Sequence, residues 1–218
     1  MLYKYGLSSL RILTGLGLIG SVIWQVTDRI LNNNFRPFEY FAYFSIVTAV
    51  LAGALLIATG VRLLVNLEDT KRVEIVRLGM TVAMVVVGVV YHALLSDVAN
   101  DVRDGDYVWP VFPNEFIHTF GPILIALDYL LSHKAFKIRM RAALWVAVFP
   151  LLWLVLSVVR GSITNWWPYW FINPNGEAGL AGMLTYIAVI TMFFLILGFA
   201  VLGLKKLIQR IPRRQKTS

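Results

Sequence analysis

The chain has no cysteine among its 218 residues. That excludes disulfides, thiolate metal sites and a cysteine nucleophile, and it leaves the redox compartment unreadable. Charge is scarce too: Asp, Glu, Lys and Arg make up 15% of the sequence, with 12 acidic residues against 20 basic ones. Internal repeats, low-complexity tracts and a composition shift that would mark a second domain are absent, so the chain reads as one unit. What fills it is apolar. Hydrophobic residues account for 58% and the mean hydropathy is +0.71. A soluble domain of this length has too little interior to hide that much apolar surface.

Six apolar runs can be drawn, at 7–26, 38–64, 73–96, 114–131, 142–159 and 179–204. Each is close to the roughly 20 helical residues that cross a hydrocarbon core of about 30 Å. The first has no small-residue cleavage site behind it and reads as a retained span rather than a signal peptide. The expected fold is an all-α integral membrane protein: a six-helix bundle over residues 1–204, followed by a basic tail at 205–218. Sixteen of the 20 basic residues fall at one set of run ends: Lys4 and Arg11 at the N-terminus, Arg62, Lys71, Arg72 and Arg77 around the connection of runs two and three, Lys134, Lys137, Arg139 and Arg141 between runs four and five, and six in the tail "KKLIQRIPRRQKTS". The remaining loops hold only Arg29, Arg36, Arg103 and Arg160. By the positive-inside rule both termini face the cytoplasm. The net charge of +8 is then a topology signal with some affinity for anionic membrane lipids, and it makes no case for nucleic acid.

"NEFIHTFGPILIALDYLL" (114–131) carries a histidine inside an apolar run, where an ionisable group is costly and is a functional candidate by default. In the expected topology His118 lies four residues into span four and Ser45 seven residues into span two. Both depths fall within roughly 10 Å of the outer boundary. His92, Gln25 and Arg160 sit at the outer ends of spans three, one and five. Five polar side chains from five helices are therefore expected to converge on a pocket under the outer headgroups. At the other end, Asp128 is expected to form a structural ion pair with Arg11 or Arg62, because buried membrane carboxylates usually pair.

Three stretches resemble one family. "FAYFSIVTA" (41–49) is similar to the "FSYFTxxSN" type of stretch near the start of span two in bacterial six-span relatives of the androgen-induced-gene hydrolases. "HTFGPILIALDYLL" is similar to their histidine-containing fourth span, and "RGSITNWWPYWFINP" (160–174) to the aromatic segment before their last span. The resemblance runs over nearly the whole chain in the same order. It implies a membrane hydrolase of fatty acid esters of hydroxy fatty acids or similar lipid-like acyl esters. The family's catalytic threonine and histidine would fall on Ser45 and His118. Serine replaces threonine, and a shift of three residues would nominate Thr48 instead, on the same helix face.

The residues make a chemical case of their own. A hydroxyl is a poor nucleophile until a base takes its proton, and histidine suits that role near neutral pH. Pro122 cannot donate an amide to the carbonyl of His118, which loosens the helix at the site. Arg160, Asn165 and Trp166 are candidate oxyanion donors, with Arg160 alternatively holding a fatty acid carboxylate. Asn114, Glu115 and Tyr91 are candidates to orient the imidazole. Plainer readings compete: Ser and Thr in membrane helices usually bond their own backbone, and "NWWPYW" is either an interfacial anchor or a lid. His133 is expected to be solvated, without a role. No cofactor is expected. The alternatives are a lipid or small-molecule binding or transport protein, and a metal or haem protein using His92, Glu115 and His118.

Topology can be tested directly, because the chain is free of cysteine. A single cysteine in the acidic loop 97–113 should react with an impermeant thiol reagent on whole cells, and one in the basic loop 132–141 should not. The reverse pattern would invert the orientation and move the pocket to the inner leaflet.

Overall fold

The computed structural model describes residues 2–98, 101–132 and 137–210, which form helices and connections with no strand among them. His133 and Lys134, and Arg213, Arg214 and Lys216 of the tail, lie outside the described residues. Five helical runs are long and apolar enough to cross a membrane: Tyr3–Leu31, Phe44–Leu64, Lys71–Leu95, Met140–Thr164 and Gly179–Arg210. The protein is thus built as an α-helical membrane bundle.

In chain order the helices are α1 (Leu2–Leu31), α2 (Pro37–Tyr40), α3 (Phe44–Leu64), α4 (Lys71–Val90), α5 (Val111–Glu115), α6 (Gly121–Leu131), α7 (Val148–Thr164) and α8 (Gly179–Arg210). A π-turn, Tyr91–Leu95, extends α4; another, Phe116–Phe120, joins α5 to α6; and the 3₁₀ stretch Met140–Ala147 leads into α7. Two of these boundaries differ from the sequence expectation. The second apolar run is not one helix: Tyr43 takes extended backbone and α3 starts only at Phe44. Ser45 therefore sits in the first turn of a helix and not seven residues inside one. The expected boundary between bundle and tail, at 204/205, falls inside α8, where Lys205 is buried.

Small residues let the first two long helices approach closely. A Cβ added at Gly15 would lie 2.6 Å from the carbonyl of Gly53, and one at Gly53 would lie 2.9 Å from that of Gly15. This is the small-residue packing that membrane helices use where lipid removes the hydrophobic drive between them. At the acidic-loop end, loop 101–110 is strapped to α1. Asp104 accepts from Arg29 (3.0 Å) and from Arg36, while the Arg29 guanidinium lies 4.0 Å from the Trp109 ring centre.

The basic end is held by buried charge. Asp128 accepts from Arg11 Nε and from Arg77 Nη2, each at 2.8 Å, and both guanidinium groups donate to Ser132 Oγ. Arg77 also meets Glu74 at 3.1 Å, and Glu74 takes Lys205 of α8 on its other oxygen. Asp69 closes the set against Arg11, at 3.6 Å, and Arg77, at 3.7 Å. Arg11 is the partner expected for Asp128. Arg77 is a second partner, which its place among the basic residues of the topology pattern does not reveal, and Arg62, the alternative, pairs with Asp69 instead. Three buried cations thus face three carboxylates.

Removing one member should strand another. Asp128→Asn should lower the unfolding temperature of the detergent-solubilised protein, on the scale of about 3 kcal/mol or more for breaking a buried pair. Arg77 keeps Glu74 in that variant, whereas Arg11 keeps neutral acceptors on Ser132 and Thr59 and, as its charge partner, the longer contact to Asp69. Arg11→Gln should therefore recover part of the loss, and Arg62→Gln none. Full stability in Asp128→Asn would contradict the structural role.

Candidate functional site

Ser45 owes its setting to the late start of α3. The first amides of a helix have no partner within it, and here that of Ser45 turns towards the hydroxyl of Tyr169, donating over 3.4 Å. Tyr169 lies in the segment between α7 and α8, its ring stacked 5.2 Å from Phe171 and edge-on to Tyr43 at 5.7 Å. Burial pushes its hydroxyl up to about 12, so it stays a neutral donor at physiological pH. The aromatic segment is therefore neither an anchor only nor a free lid: one of its rings touches the serine.

His118 sits in the π-turn just before Pro122. Gly121 N–H reaches back to the carbonyl of Phe116, five residues away, so the helix widens where the proline removes a donor. Gly88 of α4 packs on this widened turn, where a Cβ would meet the His118 carbonyl at 2.9 Å. The His118 ring is stacked on Tyr91, with centres 4.1 Å apart and planes at 21°. Its Nδ1 lies 2.9 Å from the carbonyl of Asn114. A carbonyl only accepts, so Nδ1 carries the proton and Nε2 keeps its lone pair. The Asn114 side chain donates to the Tyr91 hydroxyl at 2.7 Å, which holds the stacking ring. Asn114 and Tyr91 thus orient the imidazole.

Ser45 and His118 line one cavity of ≈ 320 Å³, together with Asn114, Tyr91, Tyr169 and Gln25. That is the low end of the range for small-molecule sites. The rest of its wall is mainly apolar, from Val86 and Val87 of α4, Leu151 and Leu154 of α7, and Ile190 and Phe194 of α8. Gln25 receives the Tyr40 hydroxyl on its oxygen at 2.8 Å, while its Nε2 has no partner among the described residues. No family model, curated protein or solved structure matches this chain.

Several expected members stand elsewhere. Thr48 is fully buried and donates to the Phe44 carbonyl at 2.6 Å, away from the cavity, although it shares the i, i+3 face with Ser45. Arg160 lies over the Trp166 ring at 4.4 Å, with one nitrogen unpartnered among the described residues, and neither residue lines the cavity. Asn165 takes the left-handed conformation that ends α7. His92 Nε2 meets Thr119 Oγ1 at 2.9 Å, and Thr119 donates to Glu115 at 2.7 Å. Threonine is interposed where a metal would have to sit, and among the described residues no three His, Asp or Glu side chains gather around one point.

Ser45→Cys and Thr48→Cys, each the only cysteine in its variant, separate the two hydroxyl positions. A small uncharged maleimide should modify residue 45 in the detergent-solubilised protein and spare residue 48. Faster reaction at 48 would mean that the helix register is displaced by three residues.

Proposed function

We propose that the protein is a membrane-embedded hydrolase of lipid-like acyl esters, with Ser45 as nucleophile and His118 as general base. The observation that carries this reading is that the two side chains, far apart in sequence, line one mainly apolar cavity, with the first turn of a helix and the Tyr169 hydroxyl beside the serine. The similarity of "FAYFSIVTA", "HTFGPILIALDYLL" and "RGSITNWWPYWFINP" to the androgen-induced-gene hydrolases supports it. So does the run Val111 to Leu131, taken as a sixth crossing whose three helical pieces follow without a gap. With both termini in the cytoplasm, the cavity opens towards the outer leaflet of a plasma or cytoplasmic membrane. The partners are membrane lipids and the ester substrate.

In this mechanism His118 Nε2 takes the proton as Ser45 Oγ attacks the ester carbonyl carbon. The oxygen that becomes negative is stabilised by Tyr169 O–H and by the N-terminus of α3, where negative charge is favoured. Collapse breaks the bond to the alcohol oxygen, which receives the proton from His118. Water, activated in the same way, then releases the acid and restores Ser45. Base assistance of this kind contributes about 10²–10⁴ in rate.

A second reading, a lipid or small-molecule binding protein, is favoured by one observation: among the described residues no hydrogen bond joins Ser45 to His118. Catalytic hydrogen bonds are often long until substrate is bound, so mutagenesis has to separate the two. Ser45→Ala and His118→Ala should each remove most ester hydrolysis, and the double variant should be little worse, because a nucleophile and its base act as a unit. Ser45→Thr should keep measurable activity, and a fluorophosphonate probe should label residue 45. Full hydrolysis by a well-folded Ser45→Ala variant would sink the hydrolase mechanism. Tight lipid retention with no turnover of any acyl ester would establish the binding protein.

A further inference from the structure

The opposite end of the bundle holds a second hollow, of ≈ 260 Å³, between the start of α4, the last turns of α8 and the stretch at 137–138. Four cations line it: Lys137, Lys205, Lys206 and Arg210. Its single lining carboxylate, Glu74, is already shared by Lys205 and Arg77. Lys205 is buried and spent on that bond, its ammonium also lying 3.6 Å from the Tyr129 ring centre. Lys137, Lys206 and Arg210 are in no ion pair with a described residue. The buried network behind the hollow is balanced, three against three, so the lining keeps a surplus of positive charge.

Basic residues at this end are expected from topology alone, and the simplest arrangement would fan them into solvent. Here they border a concave space whose inner wall is the buried pair Ile138 and Leu202. We infer that this hollow binds a phosphate group. A phosphate carries up to two charges on several acceptor oxygens and answers a surplus of cations better than a single carboxylate. Gln209 at the rim adds a neutral donor. The apolar inner wall suits the glycerol and first methylenes of a phospholipid, and basic pockets between membrane helices take such headgroups; a soluble phosphate offers the same group. The site is independent of the Ser45 cavity.

The full chain, delipidated in detergent, is titrated with phosphatidylglycerol, phosphatidylcholine or inorganic phosphate, with binding read by native mass spectrometry and by the shift in unfolding temperature. Phosphatidylglycerol should bind and stabilise. The triple variant Lys137→Gln, Lys206→Gln, Arg210→Gln should weaken binding roughly tenfold or more. A matched triple, Arg72→Gln, Arg139→Gln, Arg141→Gln, removes the same charge from the same end outside the hollow and should stay close to wild type. A response to inorganic phosphate as well assigns a soluble source; a response to phosphatidylglycerol alone assigns a lipid headgroup. Equal losses in the two triples, equal binding of phosphatidylcholine, or no response to either phosphate source would overturn the site. If the first triple fails to fold, Lys206→Gln, with Lys206→Arg restoring binding, makes the same comparison.

Discussion

Asp128, Arg11 and Arg77 form the contact on which the rest of the bundle depends, because three helices meet in one carboxylate. Taking a charge out of water costs several kcal/mol, and in this structure no member of the set bears that cost alone. Asp128 holds a guanidinium on each oxygen, Glu74 holds the Arg77 guanidinium on one and the Lys205 ammonium on the other, and Ser132 Oγ accepts from both arginines. The network ties α1, α4, α6 and α8 together at one level. Apolar side chains could not do this in a membrane, where lipid offers them an equally good environment. Directional bonds between charges fix the register instead, with Gly15 and Gly53 setting how closely α1 and α3 lie.

The acidic-loop end is built on the opposite plan. Its donors are less fully matched: the Ser45 amide meets a tyrosine hydroxyl over 3.4 Å, and Gln25 Nε2 meets nothing described. Both π-turns occur here, at Tyr91–Leu95 and Phe116–Phe120, where single widened turns often mark functional sites. A buried, paired network at one end allows polar groups to remain unmatched at the other, since the bundle is already held together.

Much of the bundle was legible in the sequence, because membrane helices are written as long apolar runs, and the Arg11–Asp128 contact followed from the cost of a lone buried carboxylate. The rest turned on backbone detail that hydropathy does not carry. The break at Tyr43 lies inside an apolar run and changes no composition, yet it moves Ser45 from mid-helix to a first turn and frees its amide. Arg77 read as one more positive-inside residue, although Glu74 three positions earlier offered an i, i+3 partner. Tyr169 lay within a segment already noted for its aromatics, but no local pattern shows which of its rings folds back on α3. Arg160 and Asn165 were placed near the site by topology, which gives depth and not direction.

Direction also decides between Ser45 and Thr48. Both are small hydroxyl residues on one face of α3, and a hydroxyl four residues into a helix has the carbonyl of its first residue within reach. Thr48 takes that bond with Phe44 and is neutralised by it. Ser45 cannot: the carbonyl four residues earlier, at Phe41, precedes the extended residue Tyr43 and is not part of the helix. Its hydroxyl is thereby left to whatever occupies the cavity, which Tyr169 from another segment also lines. The interruption of an apolar run, costly in exposed amides, is thus the feature that separates a structural hydroxyl from an available one.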